Sequence, residues 1–163
     1  MKIQVGDTFP KSSLYLYNEG NMKRTITNLI FANKKIVLFG MPGAFTPTCS
    51  NYHIPSIKDK IDNFKIKGIN EVYCLVVNDI HVTKEWAEQT GAIESGLKFI
   101  TDPEGKLVRK LKLSFSTPEI GFINRSKRFC IILNNQIIQN LFIEEERGVC
   151  DVTSGKNILR QIE

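Results

Sequence analysis

Two apolar spacings, joined by one short loop, restrict the fold of this chain more than any other feature. Ile36-Val37-Leu38-Phe39 is an unbroken apolar run, too short for a helix and suited to a strand buried on both faces. Further on, Ile54, Ile57, Ile61 and Phe64 recur at three- and four-residue steps. That spacing marks one helical face, ending near Lys67-Gly68, with Pro55 inside it and expected to kink the early turns. The connection between them reads Met41-Pro42-Gly43-Ala44-Phe45-Thr46-Pro47-Thr48-Cys49-Ser50. A strand that feeds a helix lifts such a loop above the sheet edge, where open α/β sheets hold their ligands.

The rest of the chain continues the alternation. Leu14 and Leu16 alternate with Tyr15 and Tyr17 along a strand that ends in an Asn18-Glu19-Gly20-Asn21 turn. Ile26, Leu29 and Ile30 have helical spacing. Glu71 to Val77 predicts a second central strand, and Val82 to Thr90 a helix with Trp86 on its apolar side. Leu97 to Ile100 predicts a strand that leads into an Asp102-Pro103-Glu104-Gly105 turn. Arg128 to Leu133 and Ile137 to Phe142 flank Asn134-Asn135 as a hairpin, and Ile158, Leu159 and Ile162 close the chain in a helix. Strands alternating with helices specify an α/β layer fold. The late hairpin makes the central sheet mixed, and no linker or repeat divides residues 1–163, so a single domain is expected.

Composition excludes several function classes. With 163 residues the chain can bury a core without disulfide or metal staples. Its net charge of +5 is scattered over short clusters such as KIKG, KLVRKLK and RSKR, interleaved with acids, which disfavours nucleic acid as a partner. No run approaches the roughly 20 apolar residues that cross a membrane. Four cysteines, at 49, 74, 130 and 150, form no CxxC, and only two histidines accompany them, so a metal site is not expected. Cys74 and Cys130 sit inside apolar runs and read as reduced thiols. The expected compartment is reducing: cytoplasmic, or organellar had a leader been removed.

Cys49 is the residue with chemistry to offer. At the start of a helix, unpaired backbone N–H groups and the helix dipole favour an anion, and a thiolate is one. Pro42 and Pro47 stiffen the loop, and Gly43 leaves room for close approach. Thr46 supplies a hydroxyl expected to donate to the sulfur or to an oxygen-rich ligand. An inert cysteine at a plain loop-to-helix junction is the competing reading.

The stretch PGAFTPTCS, followed by His53 and Pro55, resembles the active-site signature of the peroxiredoxin 5 subfamily, also called type II or atypical two-cysteine peroxiredoxins. YCLVVNDIHVTKEW (73–86) and INRSKRF (123–129) resemble further blocks of that family, in its order and spacing. The resemblance implies a thioredoxin-like fold with an added N-terminal hairpin. It also implies thiol-dependent reduction of hydrogen peroxide and alkyl hydroperoxides, with no cofactor and an external thiol reductant. By the same resemblance Cys49 is the peroxidatic cysteine, Thr46 and Arg128 act with it, and Pro42 closes the pocket. Arg125 is a rival for the arginine role, although on one strand it would face away from Arg128; the family pattern favours Arg128, with Arg125 as active-site support. His53, one turn beyond Cys49, is expected to support the loop rather than to act as a base.

The thiol that reduces oxidised Cys49 stays open at this stage. Cys74 lies where plant-type members carry a resolving cysteine, yet in a central strand. Cys150 lies near the resolving position of animal-type members, in a polar loop. Without either, glutathione with glutaredoxin, or thioredoxin, would recycle Cys49. A homodimer is implied by the family. The alternative function on the same fold is a thiol redox sensor or chaperone with slow peroxide turnover.

Overall fold

The computed structural model describes residues 2–162. Seven strands form one mixed sheet, and two more form a small separate one. The strands are β1 (Ser13–Asn18), β2 (Asn21–Ile26), β3 (Lys35–Gly40), β4 (Glu71–Val76), β5 (Leu97–Thr101), β6 (Ser114–Thr117), β7 (Phe122–Ser126), β8 (Phe129–Asn134) and β9 (Ile137–Ile143). The large sheet has the order β2-β1-β5-β4-β3-β8-β9, and β6 pairs with β7. Strands β3, β4 and β5 run parallel, while the β1–β2 and β8–β9 hairpins add antiparallel edges. This is the expected thioredoxin-like sheet with its N-terminal hairpin.

The central strands read as continuous apolar runs because both of their faces are covered. Alternate residues enter two cores: Val37, Phe39, Val72, Cys74, Cys130 and Ile132 face one, and Ile36, Leu38, Tyr73, Leu75, Ile131 and Leu133 face the other. Phe39 pairs with Cys74 on one side and with Cys130 on the other, so both thiols fill the sheet face under the Cys49 helix. Helix α1 (Thr27–Ile30) covers the second core together with α5 (Lys106–Lys110), whose Leu107 and Val108 are buried. The first core is roofed by α2 (Ile54–Lys58), α3 (Ile61–Ile66), α4 (Ile80–Gln89) and α6 (Gly155–Gln161). Among the described residues, no helix is long and apolar enough to cross a membrane.

The single helix expected from Ile54 to Phe64 is two segments, separated by a turn at Asp59 and Lys60. All four apolar residues are buried as the spacing requires. The irregularity attributed to Pro55 falls earlier, as a π-helical segment at Cys49–His53 in which the Ile54 N–H reaches back to the Cys49 carbonyl. The widened turn lies where the Pro55 ring would crowd the carbonyl four residues before it. Gly155 lets α6 approach this helix closely: a Cβ there would stand 2.2 Å from the Ser56 carbonyl oxygen, and its N–H donates to Ser56 Oγ at 3.1 Å.

Candidate active site

Helical backbone begins at Pro47, and Ser50 N–H donates to the Thr46 carbonyl as the first helical bond, at 3.0 Å. The Thr48 and Cys49 N–H groups therefore belong to the open first turn. Cys49 is fully buried there. Its sulfur accepts from Arg128 Nη2 at 3.3 Å, a hydrogen bond from a cationic donor.

Arg128 does not lie on a strand. It occupies the bend between β7 and β8, almost wholly buried. Its Nη1 donates to His53 Nδ1 at 2.8 Å, and Nη2 also reaches the Arg147 carbonyl at 3.3 Å. His53 Nε2 in turn donates to the Thr153 carbonyl at 2.9 Å, which fixes a neutral ring with its proton on Nε2. Burial, then the Arg128 cation, lower the His53 pKa to about 3. With both ring nitrogens engaged, His53 bridges Arg128 and the Thr153 carbonyl.

This neutrality carries a pH signature. The His53 pKa is 6.5 when unperturbed and about 3 in the fold, so below pH 6.5 the unfolded chain binds the extra proton and stability falls with acidification. Between pH 6.5 and about pH 4.5 this one group should cost about 2 kcal/mol. The variant His53→Gln keeps one acceptor and one donor but does not titrate. Urea unfolding at the two pH values should show a smaller acid loss for H53Q, and equal losses would contradict the assignment.

Thr46 differs from expectation in its donor role. Its hydroxyl proton is committed to the Gly43 carbonyl at 2.7 Å, which leaves oxygen lone pairs as its free function. The loop is held by Asn78, whose Oδ1 accepts from the Ala44 N–H at 2.8 Å. Arg125 also departs from expectation: it does not face away from Arg128. It lies on β7 in the small sheet and donates from Nη1 to the Pro42 carbonyl at 3.1 Å. Gly43 makes that contact possible, because a Cβ there would stand 2.3 Å from Arg125 Nη1. Pro42, Phe45, Thr46, Pro47 and Arg128 line a cavity of about 420 Å³, closed on its other side by Ile120, Phe122 and Arg147.

The Redoxin family model matches residues 4–159. Peroxiredoxin-2D of Arabidopsis thaliana is 36% identical over 161 residues, with 98% of each chain covered. The chain is a peroxiredoxin of the type II subfamily. Among solved structures, reduced Prx3 of Vibrio vulnificus in complex with hydrogen peroxide superposes with a TM-score of 0.91 at 32% identity, covering 99% of each chain. The 1-Cys peroxiredoxin of Plasmodium falciparum superposes with a TM-score of 0.87 at 27% identity, covering 96% of each. Like its family, this peroxiredoxin is a thiol-dependent peroxidase. It reduces peroxide through a cysteine in a thiol-based redox cycle.

The other three cysteines of the peroxiredoxin differ in burial. Cys74 and Cys130 are fully buried in β4 and β8, and burial raises both thiols well above their usual pKa. Cys74 Sγ contacts the Met41 sulfur at 3.8 Å. Cys150, half-buried in the loop after β9, is pushed up to about 11, mainly by burial. All four cysteines are unpaired. Among the described residues no group of three or more His, Cys, Asp or Glu side chains stands close enough to hold a metal.

Glu144, Thr153 and Asn78 carried little trace in the sequence. Glu144 is buried and accepts from the Asp151 N–H at 2.6 Å and from the N–H and hydroxyl of Thr153 at 3.0 Å each. That clasp sets the carbonyl on which His53 rests. Asn78 had a faint signal, as the polar residue ending a strand at the sheet edge that carries the loop.

Proposed function

We propose that Cys49 is the peroxidatic cysteine and that Arg128 and Thr46 act directly on the peroxide. The observation that carries this reading is the 3.3 Å contact of Arg128 Nη2 with the Cys49 sulfur inside an open helical first turn. The thiolate attacks the terminal oxygen of the hydroperoxide. An S–O bond forms as the O–O bond breaks, sulfur is oxidised by two electrons to the sulfenic acid, and the peroxide is reduced. The departing oxygen takes up the proton that the thiol had given to solvent and leaves as water or alcohol.

Thr46 Oγ1 accepts the O–H of the attacked oxygen and turns that oxygen toward sulfur. Arg128 Nη2 spans sulfur and oxygen as charge moves from one to the other. Arg125 holds Pro42, and His53 holds Arg128, without touching substrate.

For the return half-cycle we propose an external thiol. The internal candidates are kept protonated by burial, and a protonated thiol is a poor nucleophile. Glutathione with glutaredoxin, or thioredoxin, would serve. A homodimer beside the cavity mouth, where Ile120 and Ile123 are exposed, and a reducing compartment, cytoplasmic or organellar, complete the reading. Neither nucleic acid nor membrane belongs to it. A redox sensor would share the reactive cysteine but not sustained turnover.

Steady-state peroxide consumption tests this. Wild-type protein and the variants Cys74→Ser and Cys150→Ser should all turn over with glutathione and glutaredoxin, or with thioredoxin, and Cys49→Ser should not. Turnover surviving in C49S would overturn the assignment of Cys49. Loss of turnover in C74S or C150S alone would replace the external thiol with that residue.

A further inference from the structure

The cavity beside Cys49 is larger and more mixed in character than hydrogen peroxide requires. Its walls include Pro42, Phe45, Ile120 and Phe122, an apolar surface that gains nothing from a molecule of two oxygens. Thr46 and Arg128 line it on the side of the sulfur, and Arg147 lines it as well. Arg147 is exposed, and its guanidinium lies 5.8 Å from the Phe122 ring centroid, a cation–π contact that restrains the side chain. Among the described residues no carboxylate lies within 4.0 Å of it, although Glu145 and Glu146 precede it in the chain. No Asp or Glu lines the cavity. An arginine fork left without an anion, over an apolar wall, is suited to a carboxylate at the far end of a hydrophobic molecule.

We propose that Arg147 is a specificity-determining residue that selects organic hydroperoxides bearing a carboxylate on an apolar body. The peroxide end meets Cys49, Thr46 and Arg128, the hydrocarbon covers Phe45, Ile120 and Phe122, and the carboxylate pairs with Arg147. Binding energy from that remote pair holds the reacting oxygen in place and so raises the rate of attack. The chemistry rests on the peroxidase reading above, and the test separates the two.

The probes are cumene hydroperoxide, its para-carboxylated analogue 4-(2-hydroperoxypropan-2-yl)benzoate, and hydrogen peroxide. Single-turnover oxidation of the reduced full chain is followed with each. In wild-type protein the carboxylated probe should react about five- to tenfold faster than the neutral one, as one partly exposed ion pair allows. That ratio should shrink as salt is raised. Arg147→Met keeps an apolar stem over Phe122 and should bring the ratio to about one, with the hydrogen peroxide rate within about twofold of wild type. Arg147→Lys should retain part of the preference.

An unchanged ratio in R147M, or no preference in wild type, would overturn the proposal. So would an equal loss with all three peroxides, since that would reduce Arg147 to a support of Arg128 through its backbone carbonyl. Failure of wild-type protein to react with hydrogen peroxide would instead strike the peroxidase reading.

Discussion

Arg128→Met should slow oxidation of Cys49 by about 10²- to 10³-fold, the range seen when a preorganised donor to developing charge is removed. Methionine fills much of the arginine's volume but supplies neither cation nor donor. Three hydrogen-bond acceptors then lose this partner: the Cys49 sulfur, His53 Nδ1 and the Arg147 carbonyl. Each buried unpaired group costs about 1–3 kcal/mol, so the variant should be less stable yet folded. Arg128→Lys keeps a charge but cannot serve His53, the sulfur and the carbonyl with one planar fork, and should fall between the two. Trp86 reports the rate directly: it is the only tryptophan, and its indole N–H donates at 3.0 Å to Ser50 Oγ, beside Cys49. Stopped-flow fluorescence with hydrogen peroxide should resolve the difference. A folded R128M oxidised within twofold of wild type would remove Arg128 from the chemistry.

Thr46→Val should lower the same rate about 10- to 100-fold. Valine keeps the shape and the β-branch, so the loop should persist despite the loss of the bond to the Gly43 carbonyl. What disappears is the oxygen that accepts from the peroxide and fixes its direction. Thr46→Ser restores that oxygen and should recover most of the activity. The pairing separates a chemical role from a loop-forming one, because both variants fill the site and only one carries the hydroxyl. Equal rates in T46V and wild type would confine Thr46 to loop structure.

The parts of the fold legible in the sequence were those buried on both faces. β3, β4 and β8 read as apolar runs because successive residues along their middles alternate between two cores, and the Ile54–Phe64 spacing survives the break at Asp59 because all four side chains still point inward. Residues 106–122 carry no expected element, for the opposite reason. There α5 and β6 are five and four residues long, too short to repeat a pattern. KLVRKLK, which reads as a basic cluster, is mostly α5, with Leu107 and Val108 inward and Arg109 and Lys110 outward.

The site divides in the same way. Cys49, Thr46 and Pro42 are contiguous in sequence, and the helix start gave Cys49 a physical reason for anionic character. Only the relative placement of Arg125 and Arg128 differs from expectation, because the expectation put both on one strand, whereas β7 ends at Ser126 and the chain bends before β8. The clasp of Glu144 on Thr153 is invisible to spacing, since His53 meets Thr153 across 100 residues through a backbone carbonyl that any residue could supply.

The most direct measurement is the intact mass of fully reduced protein, denatured within seconds of adding one equivalent of hydrogen peroxide, followed by peptide mapping. An external-thiol cycle predicts a gain of about 16 Da confined to the Cys49 peptide, the sulfenic acid. A loss of about 2 Da would mean an internal disulfide with Cys49 and would leave the peroxidase chemistry standing. Cys49 unmodified while another residue takes the oxygen would contradict the account.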